Sequence, residues 1–317
     1  MPLDVLVIGF SVTADPRTFV EMAQGRPGVA ERYRLGRVAI GGITVHGLRF
    51  LLPGILQRHR PDLVVLEIGT TGFRTRPEPD AKYAHSVAQV MDLLQGQGQR
   101  TAVFDLPRKE TPDPDWQAAL HEAEARARGF AYRSWPLDEG LLRDYVHASP
   151  EGHEVYADRL LTLVDEAFAG PGPHPGGTGD FPLMSLPLAD HAPADLARLS
   201  FRRTGFETEM VSLPEGRSLR VPLPPGMRLA GLTLLRGPST GEVALRCGDA
   251  DLRHMAYDQW SYYTRFAVWN IWPREGDHVE ITQCPGVPEI DLLKGDKTTG
   301  PRVGQLGHLL LERSAAV

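Results

Sequence analysis

The sequence predicts an α/β domain, built on a parallel sheet with helices on both faces, followed by an all-β domain. Two observations lead to this division. Over the first half of the chain, short apolar runs alternate with helical patterns, which is typical of a parallel sheet covered on both faces. Further along, the helical patterns stop, and short segments between Gly, Pro and Asp turns favour an antiparallel β-sandwich or jelly roll.

Apolar runs define the predicted strands of the first domain. Each run is brief and rich in branched residues, and none alternates polar with apolar side chains, as expected of strands buried on both faces. The predicted strands are 5–8, 37–40, 63–66, 101–104 and 130–132.

Helical patterns fill the segments between these strands. Predicted helices cover 46–60, 79–95 and 115–128, and a last one begins after Ser149. Ser149 is a suitable N-cap, Pro150 suits the first helical position, and Glu151 interacts favourably with the helix dipole. We therefore predict that this last helix starts at a well-defined residue.

A Gly- and Pro-rich stretch divides the chain into a predicted α/β domain (1–170), a linker (171–180) and a β-sandwich domain (181–317). The second domain holds many aromatic side chains, which either fill its core or bind sugar rings. They are Tyr257, Trp260, Tyr262, Tyr263, Phe266, Trp269 and Trp272.

Composition excludes several classes of partner. The net charge of -6 argues against nucleic acid, because a phosphate backbone requires a basic face. No apolar run approaches the ~20 residues of a membrane span, and the N-terminus lacks a secretory signal, so a cytoplasmic location is expected. Cys247 and Cys284 lack zinc-ligand spacing, so we expect no metal. The sequence leaves open a homo-oligomer.

Ser11 is the candidate nucleophile. It follows the first strand closely, in the segment 8–13, and the active crevice of a parallel α/β sheet forms at the carboxyl ends of strands. Gly9 permits a tight turn that exposes the hydroxyl. The alternative is an ordinary turn serine or helix cap, which this segment alone favours.

Asp144 and His147 are the candidate partners of Ser11. They lie three residues apart on a loop before the last helix, so the carboxylate can accept the Nδ1 proton of the imidazole. The other ring nitrogen is then free to take a proton from a serine. Two unrelated surface residues would give the same pattern.

Together these segments resemble the SGNH (GDSL-like) hydrolase superfamily, whose sheet is flavodoxin-like. Candidates for four of its sequence blocks occur in the family's order over about half of the chain. They are Gly9-Phe10-Ser11-Val12-Thr13, Ile40-Gly41-Gly42-Ile43-Thr44, Ile68-Gly69-Thr70-Thr71-Gly72 and Asp144-Tyr145-Val146-His147.

The resemblance implies acyl transfer by Ser11, His147 and Asp144 without a cofactor. It places the Gly42 amide in the oxyanion hole and puts Thr71 where the family has an asparagine donor. Thr13 and Arg74 could line the pocket, as could Thr44 and Arg76, although the two arginines are equally explained as solvated loop charges. Loss of one oxyanion donor costs ~3 kcal/mol, so Thr71 implies a rebuilt hole, a slow enzyme or lost catalysis.

Three functions follow as hypotheses. The first is a serine esterase that removes a small acyl group, such as acetyl, from a carbohydrate or polysaccharide ester. The second is an O-acyltransferase of polysaccharide assembly, because the acceptor alone distinguishes transfer from hydrolysis. The third is a non-catalytic glycan-binding or assembly protein on a degenerate scaffold. Two departures from the family favour it: Thr71 in place of the asparagine, and Phe10 in place of the aspartate that precedes the family's nucleophile.

Overall fold

The computed structural model describes residues 1–71, 78–172 and 181–314. The chain divides into two compact units, one comprising residues 1–180 with 203–206 and the other residues 181–202 with 207–317. Within the described ranges, no helix is long and apolar enough to cross a membrane.

The first unit alternates strands and helices. In chain order they are β1 (Leu3–Gly9), α1 (Phe19–Gln24), α2 (Val29–Arg32), β2 (Tyr33–Ala39), α3 (Val45–His59), β3 (Leu63–Leu66), α4 (Ala81–Gly96), β4 (Thr101–Asp105), α5 (Trp116–Ala127), β5 (Ala131–Ser134) and α6 (Pro150–Ala169). Each predicted strand and helix of this half is present, with ends displaced by up to four residues. The sequence patterns do not predict α1 and α2, which are too short to show a helical repeat.

The strands of the first unit form one parallel sheet in the order β2-β1-β3-β4-β5. This order confirms the predicted flavodoxin-like arrangement. Successive side chains of β1 point to opposite faces, and Val5 and Val7 pack in one cluster with side chains of α1 and α6. The strand order reverses between β1 and β3, so their carboxyl ends form the crevice where such sheets bind ligands.

Helix α6 begins where the sequence predicts. The Ser149 hydroxyl accepts a hydrogen bond from the Gly152 amide at 3.0 Å, and Pro150 occupies the first turn. A Cβ on Gly152 would lie 2.1 Å from the carbonyl oxygen of Leu141, so only glycine fits there. The start of α6 is thus held firmly against the loop that precedes it.

The second unit is built of antiparallel strands. They are β6 (Leu183–Pro187), β7 (Arg198–Arg203), β8 (Phe206–Pro214), β9 (Ser218–Pro222), β10 (Met227–Arg236), β11 (Glu242–Cys247), β12 (Ala250–Met255), β13 (Arg265–Arg274), β14 (His278–Gln283) and β15 (Val303–Arg313). One sheet has the order β13-β10-β15-β8-β7 with β6 paired to β15, and the other has the order β12-β11-β14-β9. Apolar side chains of both sheets share one core, which confirms the predicted sandwich.

The aromatic side chains of the second unit divide between its core and its surface. Tyr257 and Phe266 are buried, as the core interpretation requires. Trp260, Tyr263 and Trp272 are exposed, so the core interpretation is wrong for these three.

Candidate active site

Ser11 lies on the loop that follows β1, residues 10–15, which we call the nucleophile loop. The loop turns tightly, because the Ala14 amide donates to the carbonyl oxygens of Phe10 at 2.9 Å and of Ser11 at 3.2 Å. Gly9 makes this turn feasible, since a Cβ at that position would lie 2.1 Å from Thr13 Oγ1. Ser11 itself is half-buried at the crevice between β1 and β3.

Asp144 and His147 form the predicted pair. The carboxylate oxygen Oδ2 of Asp144 lies 2.8 Å from Nδ1 of His147. The other oxygen, Oδ1, accepts the amides of Val146 at 3.0 Å and His147 at 2.8 Å. One carboxylate therefore shapes the turn and orients the ring.

Partial burial raises the pKa of Asp144, but the amide and ring hydrogen bonds outweigh it, and the net pKa lies below its usual range. The carboxylate is therefore ionised at neutral pH and favours the tautomer of His147 that carries its proton on Nδ1. In that tautomer Nε2 is free to accept a proton, as a general base requires.

Asp15 joins the His147 loop to the nucleophile loop. Its carboxylate pairs with the Arg143 guanidinium at 2.9 Å and lies 3.4 Å from Nε2 of His153. Burial raises the pKa of Asp15, but bonds to His153 and Arg143 and the nearby charges of Arg143 and His147 outweigh that effect, so the net pKa lies below its usual range. The structure thus brings the Ser11 loop and the His147 loop to the same edge of the sheet.

The hydrogen bonds made by the described residues do not include one between the Ser11 hydroxyl and the His147 ring. Such bonds are often long without a substrate and tighten when one binds. Contact between the Ser11 hydroxyl and the His147 ring stays a prediction.

Gly41 and Gly42 lie on the segment that follows β2, and Gly41 is beside Ser11. A Cβ on Gly41 would lie 3.8 Å from Ser11 Cα. Gly42 is exposed, has a φ of 84° and has open space where a Cβ would be, so its amide is held in a conformation that favours glycine. Assignment of the Gly42 amide to an oxyanion hole stays a prediction.

Two further predicted site residues, Thr13 and Thr71, are buried. Thr13 is fully buried and its hydroxyl donates to Glu67 at 3.0 Å, so it supports the nucleophile loop and does not line an open pocket. Thr71 is also buried, and its hydroxyl donates to the Ile68 carbonyl at 2.9 Å. Arg74, like Arg76, lies outside the described residues.

Sequence reasoning did not predict Asp15 or Glu67, two buried carboxylates at this edge of the sheet. Glu67 follows β3 directly and is completely buried. It accepts hydrogen bonds from Thr13 on the nucleophile loop and from Thr70 on its own loop. The signal was available, because Glu67 is the first charged residue after the apolar run Leu63–Leu66.

Over its full length the chain has the fold of a solved two-domain esterase active on acetylated mannans, crystallised with mannopentaose. That alignment covers 100% of this chain and 92% of the esterase, at 12% identity and a TM-score of 0.68. Another structure of a two-domain esterase active on acetylated mannans gives a TM-score of 0.64 at the same identity and coverage. At this identity the likeness establishes the fold.

The N-terminal half by itself is similar to a G-D-S-L family protein from Desulfitobacterium hafniense DCB-2. The alignment covers 51% of this chain and 99% of that chain, at 12% identity and a TM-score of 0.42. No protein-family model and no curated protein matches the sequence. The first unit has a flavodoxin-like fold, a parallel five-stranded sheet flanked by helices.

Proposed function

We propose that this protein is a serine carboxylic ester hydrolase that removes acetyl groups from an acetylated carbohydrate. The observation that carries the proposal is the Asp144–His147 pair, 2.8 Å apart, on a loop tied through Asp15 to the loop that holds Ser11. The full-length fold similarity to an esterase active on acetylated mannans supports the choice of substrate class.

In the proposed mechanism, His147 Nε2 accepts the hydroxyl proton as Ser11 Oγ attacks the ester carbonyl carbon. Asp144 stabilises the imidazolium that forms. Amides near Ser11, with Gly42 the leading candidate, stabilise the negative oxygen of the tetrahedral intermediate. The intermediate collapses, the sugar oxygen leaves with the proton from His147, and an acetyl-enzyme remains.

Water completes the reaction. His147 takes a proton from water, the resulting hydroxide attacks the acetyl carbonyl, and acetate leaves as Ser11 regains its proton. A sugar hydroxyl in place of water would give acetyl transfer by the same steps. Adding an unacetylated oligosaccharide and measuring its acetylation distinguishes transfer from hydrolysis.

The test compares wild type with Ser11→Ala on an aryl acetate and on acetylated mannan. We expect Ser11→Ala to lose at least ~10³-fold in kcat, because the nucleophile is removed. Ser134→Ala is the matched control, since this exposed serine ends the edge strand β5 and should leave the rate unchanged. Equal rates for wild type and Ser11→Ala would exclude Ser11 as the nucleophile.

A non-catalytic glycan-binding protein is the second candidate. The observation in its favour is the Thr71 hydroxyl, which is buried and donates to the Ile68 carbonyl where the SGNH family has a free amide donor. This function predicts that acetylated mannan binds the wild type without release of acetate. Calorimetric titration together with an acetate assay on the same sample decides between the two candidates.

A further inference from the structure

Glu67 touches two loops of the candidate site at once. Its oxygen Oε2 accepts the Thr13 hydroxyl at 3.0 Å and the Phe10 amide at 3.5 Å, both on the nucleophile loop. Its oxygen Oε1 accepts the Thr70 hydroxyl at 2.7 Å and the Thr70 amide at 3.3 Å, on the loop after β3. Each carboxylate oxygen therefore holds one side of the crevice between β1 and β3.

The hydrogen-bond donors to this carboxylate among the described residues are uncharged. In the described part of the chain, no Lys, Arg or His forms a hydrogen bond or ion pair with Glu67, whose partners are Phe10, Thr13 and Thr70. From α6, the ionisable group that faces it is Tyr156, whose pKa is raised to about 12 first by burial, with the Glu67 charge adding to the shift. Two hydroxyls and two backbone amides of the described residues stabilise the negative charge.

The same contacts make the two protonation states of Glu67 structurally different. The carboxylate accepts at all four positions, whereas a protonated Glu67 must donate from one oxygen. A hydroxyl can reverse to accept that proton, but the Phe10 and Thr70 amides can only donate. Packing around Glu67 is also tight, because a Cβ on Gly9 would lie 2.9 Å from Oε2.

We infer that Glu67 is a positioning residue whose carboxylate sets the nucleophile loop against the loop after β3, and that the site is competent only when this carboxylate is ionised. The inference rests on the proposed hydrolase function of Ser11. Its physical basis is that Ser11 directly follows Phe10, whose amide Glu67 accepts. A shift of about 1 Å in a reacting group can cost ~10²-fold in rate.

The ionisation falls in a range where an assay can follow it. Burial raises the pKa of Glu67 to about 7, while the bonds from Thr70, Thr13 and the Phe10 amide oppose that shift. The rate should therefore fall below neutral pH as Glu67 gains a proton. Each required deprotonation adds one unit to the acid-side slope of log(kcat/KM), so the slope should be one unit lower in a variant without this carboxylate than in wild type.

The experiment measures kcat/KM for an aryl acetate from pH 5 to pH 8.5 in wild type, Glu67→Gln, Thr70→Val and Thr70→Ser. We expect Glu67→Gln to lose about 10²-fold above pH 7.5 and to show an acid limb of slope one. Thr70→Val should move the acid limb up by about one pH unit, because the carboxylate loses its shortest hydrogen bond. Thr70→Ser keeps the hydroxyl and should restore the wild-type limb.

Distinct results would overturn the inference. The role of Glu67 is rejected if the acid-side slope of log(kcat/KM) is one in wild type and is the same in Glu67→Gln. It is also rejected if Thr70→Val does not move the acid limb. If Glu67→Gln does not fold, the Val and Ser variants of Thr70 decide the question. Ser11→Ala is measured alongside, and a rate equal to wild type would reject the proposed hydrolase itself, whatever the Glu67 variants do.

Discussion

Replacement of Asp144 by asparagine tests the orientation of the His147 ring. Oxygen Oδ1 of Asp144 accepts the amides of Val146 and His147 at 3.0 and 2.8 Å. An asparagine carbonyl oxygen would keep both bonds and stay 3.0 Å from His147 Nδ1, while the amide nitrogen would take the place of Oδ2 at the shorter distance of 2.8 Å. Because that nitrogen donates, it favours the tautomer with the proton on Nε2, which cannot accept a proton from Ser11.

The expected loss of kcat in Asp144→Asn depends on which hydrogen bonds of Asp144 the variant keeps. A wrong tautomer in a serine protease triad costs about 10⁴-fold in kcat. The Asp144 side chain is 45% exposed, so solvent screens part of its effect and we expect about 10³-fold. Folding should change little, by about 1 kcal/mol or less, because both backbone bonds of the turn are kept.

The assay is kcat for an aryl acetate at pH 8, with urea unfolding of the same samples. Asp138→Asn is the matched control, because Asp138 Oδ1 likewise accepts a backbone amide, that of Gly140 at 3.0 Å, without a histidine partner. A loss below tenfold for Asp144→Asn, with folding intact, would refute the assignment of Asp144 as the residue that sets the tautomer.

Three further predictions concern stability. Gly9→Ala should destabilise the first unit by about 2 kcal/mol in urea unfolding, because its Cβ would lie 2.1 Å from Thr13 Oγ1; an unchanged midpoint would contradict the packing around the loop. Ser149→Ala should cost about 1 kcal/mol, since the hydroxyl caps α6, and Ser149→Asp should recover most of it. Burial raises the pKa of Glu67 from 4.5 to about 7, so the folded state holds a proton that the unfolded state releases in this range. The unfolding free energy of wild type, compared with that of Glu67→Gln, should therefore fall by about 1.4 kcal/mol for each pH unit as the pH rises from 4.5 to about 7. A difference between the two proteins that stays constant from pH 5 to pH 7 would contradict the shift.

Much of the fold could be predicted from local sequence patterns. The apolar run Leu63–Leu66 coincides with β3, and the capping signal at Ser149 marks the start of α6. Such features depend on residues close together in the chain, which is why a single sequence reveals them.

Local patterns did not predict the environment of the polar residues. Thr13 was expected at the pocket but is buried against Glu67, and Thr71 is buried with its hydroxyl donated to the Ile68 carbonyl. Which polar groups are buried, and which hydrogen-bond partners they have, depends on which loops meet. The loops after β1 and β3 meet because the strand order places β1 beside β3. A sequence pattern cannot show which oxygen of a carboxylate faces which amide.

The sequence by itself determined the alternation of strands and helices, the change to a β-rich second half, and the Asp144–His147 spacing that lets a carboxylate orient an imidazole. These properties depend on periodicity and on contacts within a few residues. Only the tertiary structure decided that Asp15 pairs with Arg143, 128 residues away, and that Glu67 accepts the Phe10 amide across 57 residues. Contacts of that separation form only when the sheet has assembled, because packing and burial select the partner of each buried polar group.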